Sequence, residues 1–218
     1  MKNVKAAIFD MDGTLLDSMF FWMNCGELYV QSLGLEPEIG LGKKLLSMNM
    51  KQGAEYLSKK YGIKLSILEI CRGINGILKD SYAHKIVFKN GAENFLKNLK
   101  ESGTKIAICT NTDRELFSPA LKRLDANKYF DGIFTTSEMK TSKSHPEIFY
   151  SVAEFLKSTP EETWVFEDAL YAIRTAKNAG FKTCGIYDES YTNDTEEIKK
   201  FSTIYCKNYE EAENFFIK

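Results

Sequence analysis

Six short apolar runs, each followed by polar residues, set the rhythm of the chain. Residues 4–9 end in Asp10, residues 105–109 in Thr110 and Asn111, and residues 163–166 in Glu167 and Asp168. Residues 132–135, 182–186 and 203–206 carry three further runs. Apolar and polar positions do not alternate within them, which is the pattern of strands buried on both faces of a parallel sheet. Between the runs the apolar spacing becomes helical and predicts helices over 91–102, 114–124, 146–157 and 169–179. Gly103 and Gly180 supply stops, and Pro146 stands at a helix-opening position. Strand and helix alternate, so the expected fold is α/β: a doubly wound, Rossmann-like parallel sheet. Residues 18–88 break the alternation. They predict helices over 19–33, 43–61 and 66–84, interrupted at Gly34, Pro37, Gly40 and Gly62. A crossover in a compact α/β unit is ordinarily one helix long. Residues 18–88 therefore read as an inserted helical domain, and residues 1–17 with 89–218 as the α/β core.

Composition narrows the class without changing this picture. The 218 residues are 44% hydrophobic and 27% charged, an ordinary globular balance. Lysine and arginine total 29 against 30 acidic residues, so the basic footprint of a nucleic-acid binder is missing. No apolar run approaches the roughly 20 residues of a membrane helix. The first apolar stretch is too short for a signal peptide and runs into acidic residues. The five cysteines are odd in number and none is spaced as CxxC, which disfavours a disulfide framework or a zinc site. Reduced thiols in a cytoplasmic protein are the expectation, with neither nucleic acid nor membrane as partner. Oligomeric state is left open.

The chemistry concentrates at the ends of the apolar runs. Asp10 and Asp12 follow the first, and residues two apart on an extended chain share a side. Two carboxylates then face one small volume at the carboxyl end of the sheet, where open α/β folds bind ligands. Like charges so close need a cation, a proton or a cluster of donors. Thr110 and Asn111 could donate to an anion, and so could Lys143, just ahead of a helix. Glu167 and Asp168 are adjacent, so on an extended chain at most one joins the cluster directly. An all-oxygen acidic site favours a hard cation such as Mg²⁺ over zinc.

Together these residues resemble the haloacid dehalogenase superfamily of phosphohydrolases. Residues 9–18, with Asp10-Met11-Asp12-Gly13-Thr14, match its first motif and Thr110-Asn111 its second. Lys143 with Pro146 resembles the third, although Ser144 stands where the family usually has proline. Residues 165–168 match the fourth, with Ala169 and Ala172 where serine and glycine are common. A helical block just after the first motif is similar to the cap of phosphoglycolate phosphatase-like and β-phosphoglucomutase-like members. The resemblance implies that Asp10 attacks phosphorus to form an aspartyl-phosphate, and that Asp12 protonates the leaving alcohol and then activates water. It implies Mg²⁺ on Asp10, the Asp12 backbone carbonyl and Asp168, with Glu167 bound directly or one ligand removed. Thr110, Asn111 and Lys143 would hold the phosphoryl oxygens of a small phosphorylated metabolite.

Mg²⁺-dependent phosphomonoester hydrolysis is the leading expectation. A β-phosphoglucomutase-like activity is the alternative, and it calls for a cap cation to hold a second phosphate. The stretch Leu45-Leu46-Ser47-Met48-Asn49-Met50 supplies none; Lys51 is the nearest cation, and Arg72 is the one arginine of the block. A dehalogenase would lack the second acid, Asp12. A phosphorylation-dependent receiver-like module has similar strand-end residues but needs no helical insertion. Trp22 reads either as core of the helical block or as an apolar wall over the leaving group. His84 and His145 have no partner at metal-ligand spacing and read as surface or hinge residues.

Overall fold

The computed structural model describes residues 4–45 and 48–217. Six strands form one parallel sheet: β1 (Ala6–Phe9), β2 (Lys105–Thr110), β3 (Gly132–Thr135), β4 (Thr163–Glu167), β5 (Lys182–Ile186) and β6 (Ile204–Cys206). The spatial order is β3-β2-β1-β4-β5-β6. The chain therefore winds outward in one direction from β1 and in the other from β4. The carboxyl ends of β1 and β4 flank the switch point, where open sheets of this kind leave a crevice. Register aligns Phe9 with Ile108 on one side and with Phe166 on the other.

Burial on both faces explains the unbroken apolar runs. On one face Ala6, Ile8 and Val165 pack with Phe149 and Val152 of α8 (Glu147–Phe155) and Ala176 of α9 (Leu170–Asn178). The opposite face is aromatic. Phe9 stacks on Phe166 at 4.2 Å between ring centroids, and Phe95 meets both rings edge-on. Phe95 belongs to α5 (Ala92–Glu101), and Phe216, on α11 (Tyr209–Phe216), closes the cluster. Such pairs add about 0.5–1.5 kcal/mol each beyond the area they bury. Helices α6 (Arg114–Arg123), α7 (Thr136–Met139) and α10 (Thr195–Phe201) complete the layers.

The contacts divide the chain into two compact units, residues 1–17 with 87–218 and residues 18–86. Val87 and Phe88, assigned on sequence to the helical block, lie with the sheet unit. Val87 O accepts from Asp17 N at 2.9 Å, Phe88 forms an antiparallel bridge with Leu16, and Lys89 N donates to Leu15 O at 2.8 Å. The second unit holds α1 (Met19–Ser32), α2 (Leu41–Leu45), α3 (Met50–Tyr61) and α4 (Ile67–His84) around Tyr29, Val30, Leu41, Leu57 and Ile70. The single helix expected over 43–61 is two. Asn49 accepts from Gln52 N, and the Gln52 side chain accepts from Asn49 N, a reciprocal cap that starts α3 afresh. Leu46 and Ser47 lie outside the described residues. No helix among the described residues is long and apolar enough to cross a membrane.

Candidate active site

The loop after β1 is held from every side. Asp10 N donates to Phe166 O at 2.9 Å, extending the β1–β4 ladder one residue past the strand. Gly13, at φ +78°, takes the left-handed turn that a side chain would disfavour. The turn lets Leu15 N and Leu16 N both donate to Met11 O, at 2.9 and 2.8 Å. Lys89 Nζ donates to Gly13 O, Tyr187 O and Asp188 Oδ2, at 2.7, 2.7 and 2.8 Å. Tyr209 OH donates to Thr14 O at 3.0 Å.

This scaffold aims three carboxylates at one point. Oxygens of Asp10, Glu167 and Asp168 all lie within 4.8 Å of one another, and all three residues are buried. Lys143 is 1% exposed; its ammonium donates to Asp10 Oδ1 and, at 2.7 Å, to Glu167 Oε1. Glu167 Oε2 accepts from Asp168 N and Ala169 N, both at 2.9 Å. Thr14 Oγ1 donates to Asp168 Oδ1 at 2.8 Å, while the buried Asp168 Oδ2 has no hydrogen-bond partner.

The electrostatics follow from this crowding. Burial pushes the Asp10 carboxyl up to about 7; Lys143 pulls against it, and Glu167 and Asp12 add to it. Burial, then Glu167 and Asp10, raise Asp168 well above the usual carboxylate range. Burial alone would lower Lys143, but Asp10 and Glu167 outweigh it and hold the ammonium well above its ordinary value. One ammonium thus faces three carboxylates, and one inward-facing oxygen is orphaned. That donor set fits a hard divalent cation, which takes carboxylate oxygens and would relieve both the excess charge and the unpaired atom.

The sequence model of the haloacid dehalogenase-like hydrolase family matches residues 7–186 of the chain. The chain belongs to this family. The phosphorylated carbohydrates phosphatase of Thermotoga maritima is 28% identical over 179 residues, covering 82% of this chain and 83% of the relative. Phosphoglycolate phosphatase of Salmonella paratyphi A is 27% identical, covering 85% of this chain and 82% of the relative. A crystal structure from Thermotoga maritima, of a protein named "putative beta-phosphoglucomutase", superposes with a TM-score of 0.83 at 27% identity. It covers 93% of this chain and 94% of its own.

In this haloacid dehalogenase-like hydrolase the expected residues divide into two groups. Asp10, Lys143, Glu167 and Asp168 meet directly. The expectation that only one of Glu167 and Asp168 joins the cluster is corrected: β4 ends at Glu167, and strand alternation lapses where the chain turns to bond its next two N–H groups to the Glu167 carboxylate. Asp12 Oδ2 instead accepts from Thr112 Oγ1 at 2.6 Å. Thr110 is buried, and its Oγ1 accepts from Thr112 N at 3.1 Å. Asn111 is exposed, and its Nδ2 donates to Tyr171 OH at 2.6 Å.

Sequence reasoning passed over Thr112, Tyr171 and Lys89. Only Thr112, two residues beyond Thr110, carried a local signal. His84 is exposed beside Asp80, and exposed His145 shares a 3.0 Å hydrogen bond with Ser142. Trp22 Nε1 donates to Tyr82 OH at 2.9 Å, and the Trp22 ring lines an apolar cavity of about 210 Å³ inside the helical unit. Of the stretch 45–50, Leu45, Met48, Asn49 and Met50 also line it, whereas Leu46 and Ser47 lie outside the described residues.

Proposed function

We propose that this hydrolase is a Mg²⁺-dependent phosphatase that cleaves a small phosphomonoester through an aspartyl-phosphate on Asp10. The observation that carries the reading is the convergence of three buried carboxylates and one buried ammonium, with an orphaned Asp168 oxygen among them. Asp10, Asp168 and the Asp12 backbone carbonyl would hold the cation, with Glu167 bound directly or one ligand removed. The cation supplies positive charge against the nucleophile and the phosphoryl oxygens.

The chain's own groups do the rest. An Asp10 oxygen attacks phosphorus in line, and the phosphorus–oxygen bond to the alcohol breaks. Asp12, fixed by the Thr112 hydroxyl, gives its proton to the departing oxygen. It then takes a proton from the water that attacks the acyl phosphate, which releases inorganic phosphate and restores Asp10. Thr110, Asn111 and Lys143 hold the phosphoryl oxygens.

The phosphatase names of the relatives support hydrolysis, and the mutase name of the Thermotoga maritima structure keeps isomerisation as the second reading. Among the described residues no cation lines the apolar cavity of the helical unit, which supports the hydrolase. Five free thiols support a cytoplasmic setting.

Asp10→Asn tests the reading. It is expected to abolish turnover of p-nitrophenyl phosphate and phosphoryl-enzyme formation while the circular dichroism stays that of the wild type. Chelation should silence the wild type and Mg²⁺ restore it. Near wild-type activity in Asp10→Asn, or chelator-insensitive turnover, defeats the mechanism. Faster conversion of β-glucose 1-phosphate to glucose 6-phosphate than to phosphate would install the mutase.

A further inference from the structure

Asn111 stands where a phosphate-holding amide was expected, yet its Nδ2 donates to the phenol of Tyr171 at 2.6 Å. Tyr171 is the second residue of α9, which begins directly after the Glu167-Asp168-Ala169 turn. The phenol oxygen is thereby filled on its acceptor side, and its own hydrogen has no acceptor among the described residues. A hydroxyl so arranged is a directed donor waiting for an oxygen.

Exposure separates its role from that of the buried groups. Asp10, Thr110 and Lys143 are 8%, 1% and 1% exposed, whereas Tyr171 is 41% exposed. The buried groups suit the compact phosphoryl group, and the rim is where the organic part of the ester must lie. The Tyr171 ring adds an apolar face, and Tyr191, half-buried in the turn after β5, is a second phenol near the same acids. Burial and the Glu167 charge raise the Tyr171 phenol, so it stays protonated and able to donate.

We infer that Tyr171, held in place by Asn111, is a specificity-determining residue whose phenol donates to a hydroxyl or ring oxygen of a sugar- or polyol-type leaving group. The inference rests on the phosphatase reading above and deepens it. Asn111 then acts on substrate partly through Tyr171, and the two form one contact on the sheet unit itself.

The test is Tyr171→Phe, which removes the hydroxyl and keeps the ring. A panel of sugar and polyol monophosphates is compared with p-nitrophenyl phosphate, whose leaving group offers no hydroxyl, and with inhibition by inorganic phosphate. The variant is expected to raise KM for the hydroxylated esters about five-fold, the worth of one neutral hydrogen bond, with kcat within about two-fold. KM for p-nitrophenyl phosphate and the phosphate inhibition constant should hold at wild-type values. Equal increases in KM for every ester with weaker phosphate inhibition would assign the phenol to the phosphoryl group and overturn the proposal. No change for any ester overturns it as well. So does a wild type that cleaves p-nitrophenyl phosphate and none of the hydroxylated esters, although the phosphatase reading then survives. A wild type inactive on all of them with Mg²⁺ defeats that reading itself.

Discussion

Replacing Glu167 with glutamine isolates what the buried carboxylate contributes, because the side chain keeps its size. Glu167 is 1% exposed, and its two oxygens accept three hydrogen bonds, from Lys143 Nζ, Asp168 N and Ala169 N. Glutamine offers one acceptor oxygen and one donor nitrogen. Turned with its oxygen toward the backbone, it sets an amide donor against the ammonium. Turned the other way, it leaves two buried N–H groups unpaired, at about 1–3 kcal/mol each. The first orientation costs less because Lys143 keeps Asp10. The lost pairing falls between a charge-assisted hydrogen bond and a fully broken buried pair, about 3 kcal/mol, and relief of the repulsion that Glu167 exerts on Asp10 and Asp168 returns part of it, leaving about 2 kcal/mol. For a chain of this size that lowers Tm by about 4–8 °C. The assay is thermal and urea unfolding in chelator, so that no cation compensates. A double-mutant cycle with Lys143→Met should return a coupling of about 2 kcal/mol, with the double variant less destabilised than the sum of the singles. A Tm within about 2 °C of wild type, or a strictly additive cycle, would refute the pairing argument.

Two further outcomes bear on the two units separately. Burial works to raise Asp131, but Lys100, the Ile106 N–H and Lys105 outweigh it and hold the carboxyl at about 2. A depressed carboxyl stabilises the fold above its unfolded value near 4 and loses that contribution as pH falls through 2, about 2 kcal/mol in all. Asp131→Asn should cost about that much at neutral pH and flatten the decline of the urea midpoint between about pH 5 and pH 3; an unchanged slope would remove the assignment. In the helical unit, a Cβ at Gly73 would lie 2.2 Å from Tyr29 Cε2, and Tyr29 is a buried ring of the core. Gly73→Ala should gain about 1 kcal/mol in helix propensity and lose about 1–3 kcal/mol to overpacking. The net is a lower urea midpoint, and a raised one would show that the ring yields freely.

What could be read from the chain follows how local each signal is. Strands β1, β2, β4 and β5 were visible because burial on both faces leaves unbroken apolar runs, whereas the edge strands β3 and β6, fully buried only at Thr135 and Cys206, gave shorter and weaker ones. The break between α2 and α3 was missed although its cap, Asn49 with Gln52 three residues on, is a local signal. Helix α11 also went unread, although Tyr209, Ala212 and Phe216 share one buried stripe. Helix α10 gave less warning, since Ile198 is its one buried residue. At the site, Asp10, Lys143, Glu167 and Asp168 were legible as strand-end or loop residues of suitable chemistry. The Tyr171–Asn111 and Thr112–Asp12 contacts join residues 60 and 100 positions apart and needed the folded chain to appear. The alternation rule misjudged Asp168 because it describes strands and Asp168 lies past one.

The pairing of residues 15–17 with 87–89 bears on how the sheet assembles. β1 must find β2 across an insertion of roughly seventy residues. Closing a loop of that length in a coil costs about 4 kcal/mol of chain entropy before any strand contact repays it. The hydrogen bond from Asp17 N to Val87 O means that the two ends of the insertion meet in the folded protein. A helical unit that folds early on its own local contacts brings those ends together and splices β1 to β2 across a short effective linker. The search for the central strand pair is then shorter than the primary separation implies. On this account Gly73→Ala should slow refolding of the sheet even though residue 73 contributes nothing to it.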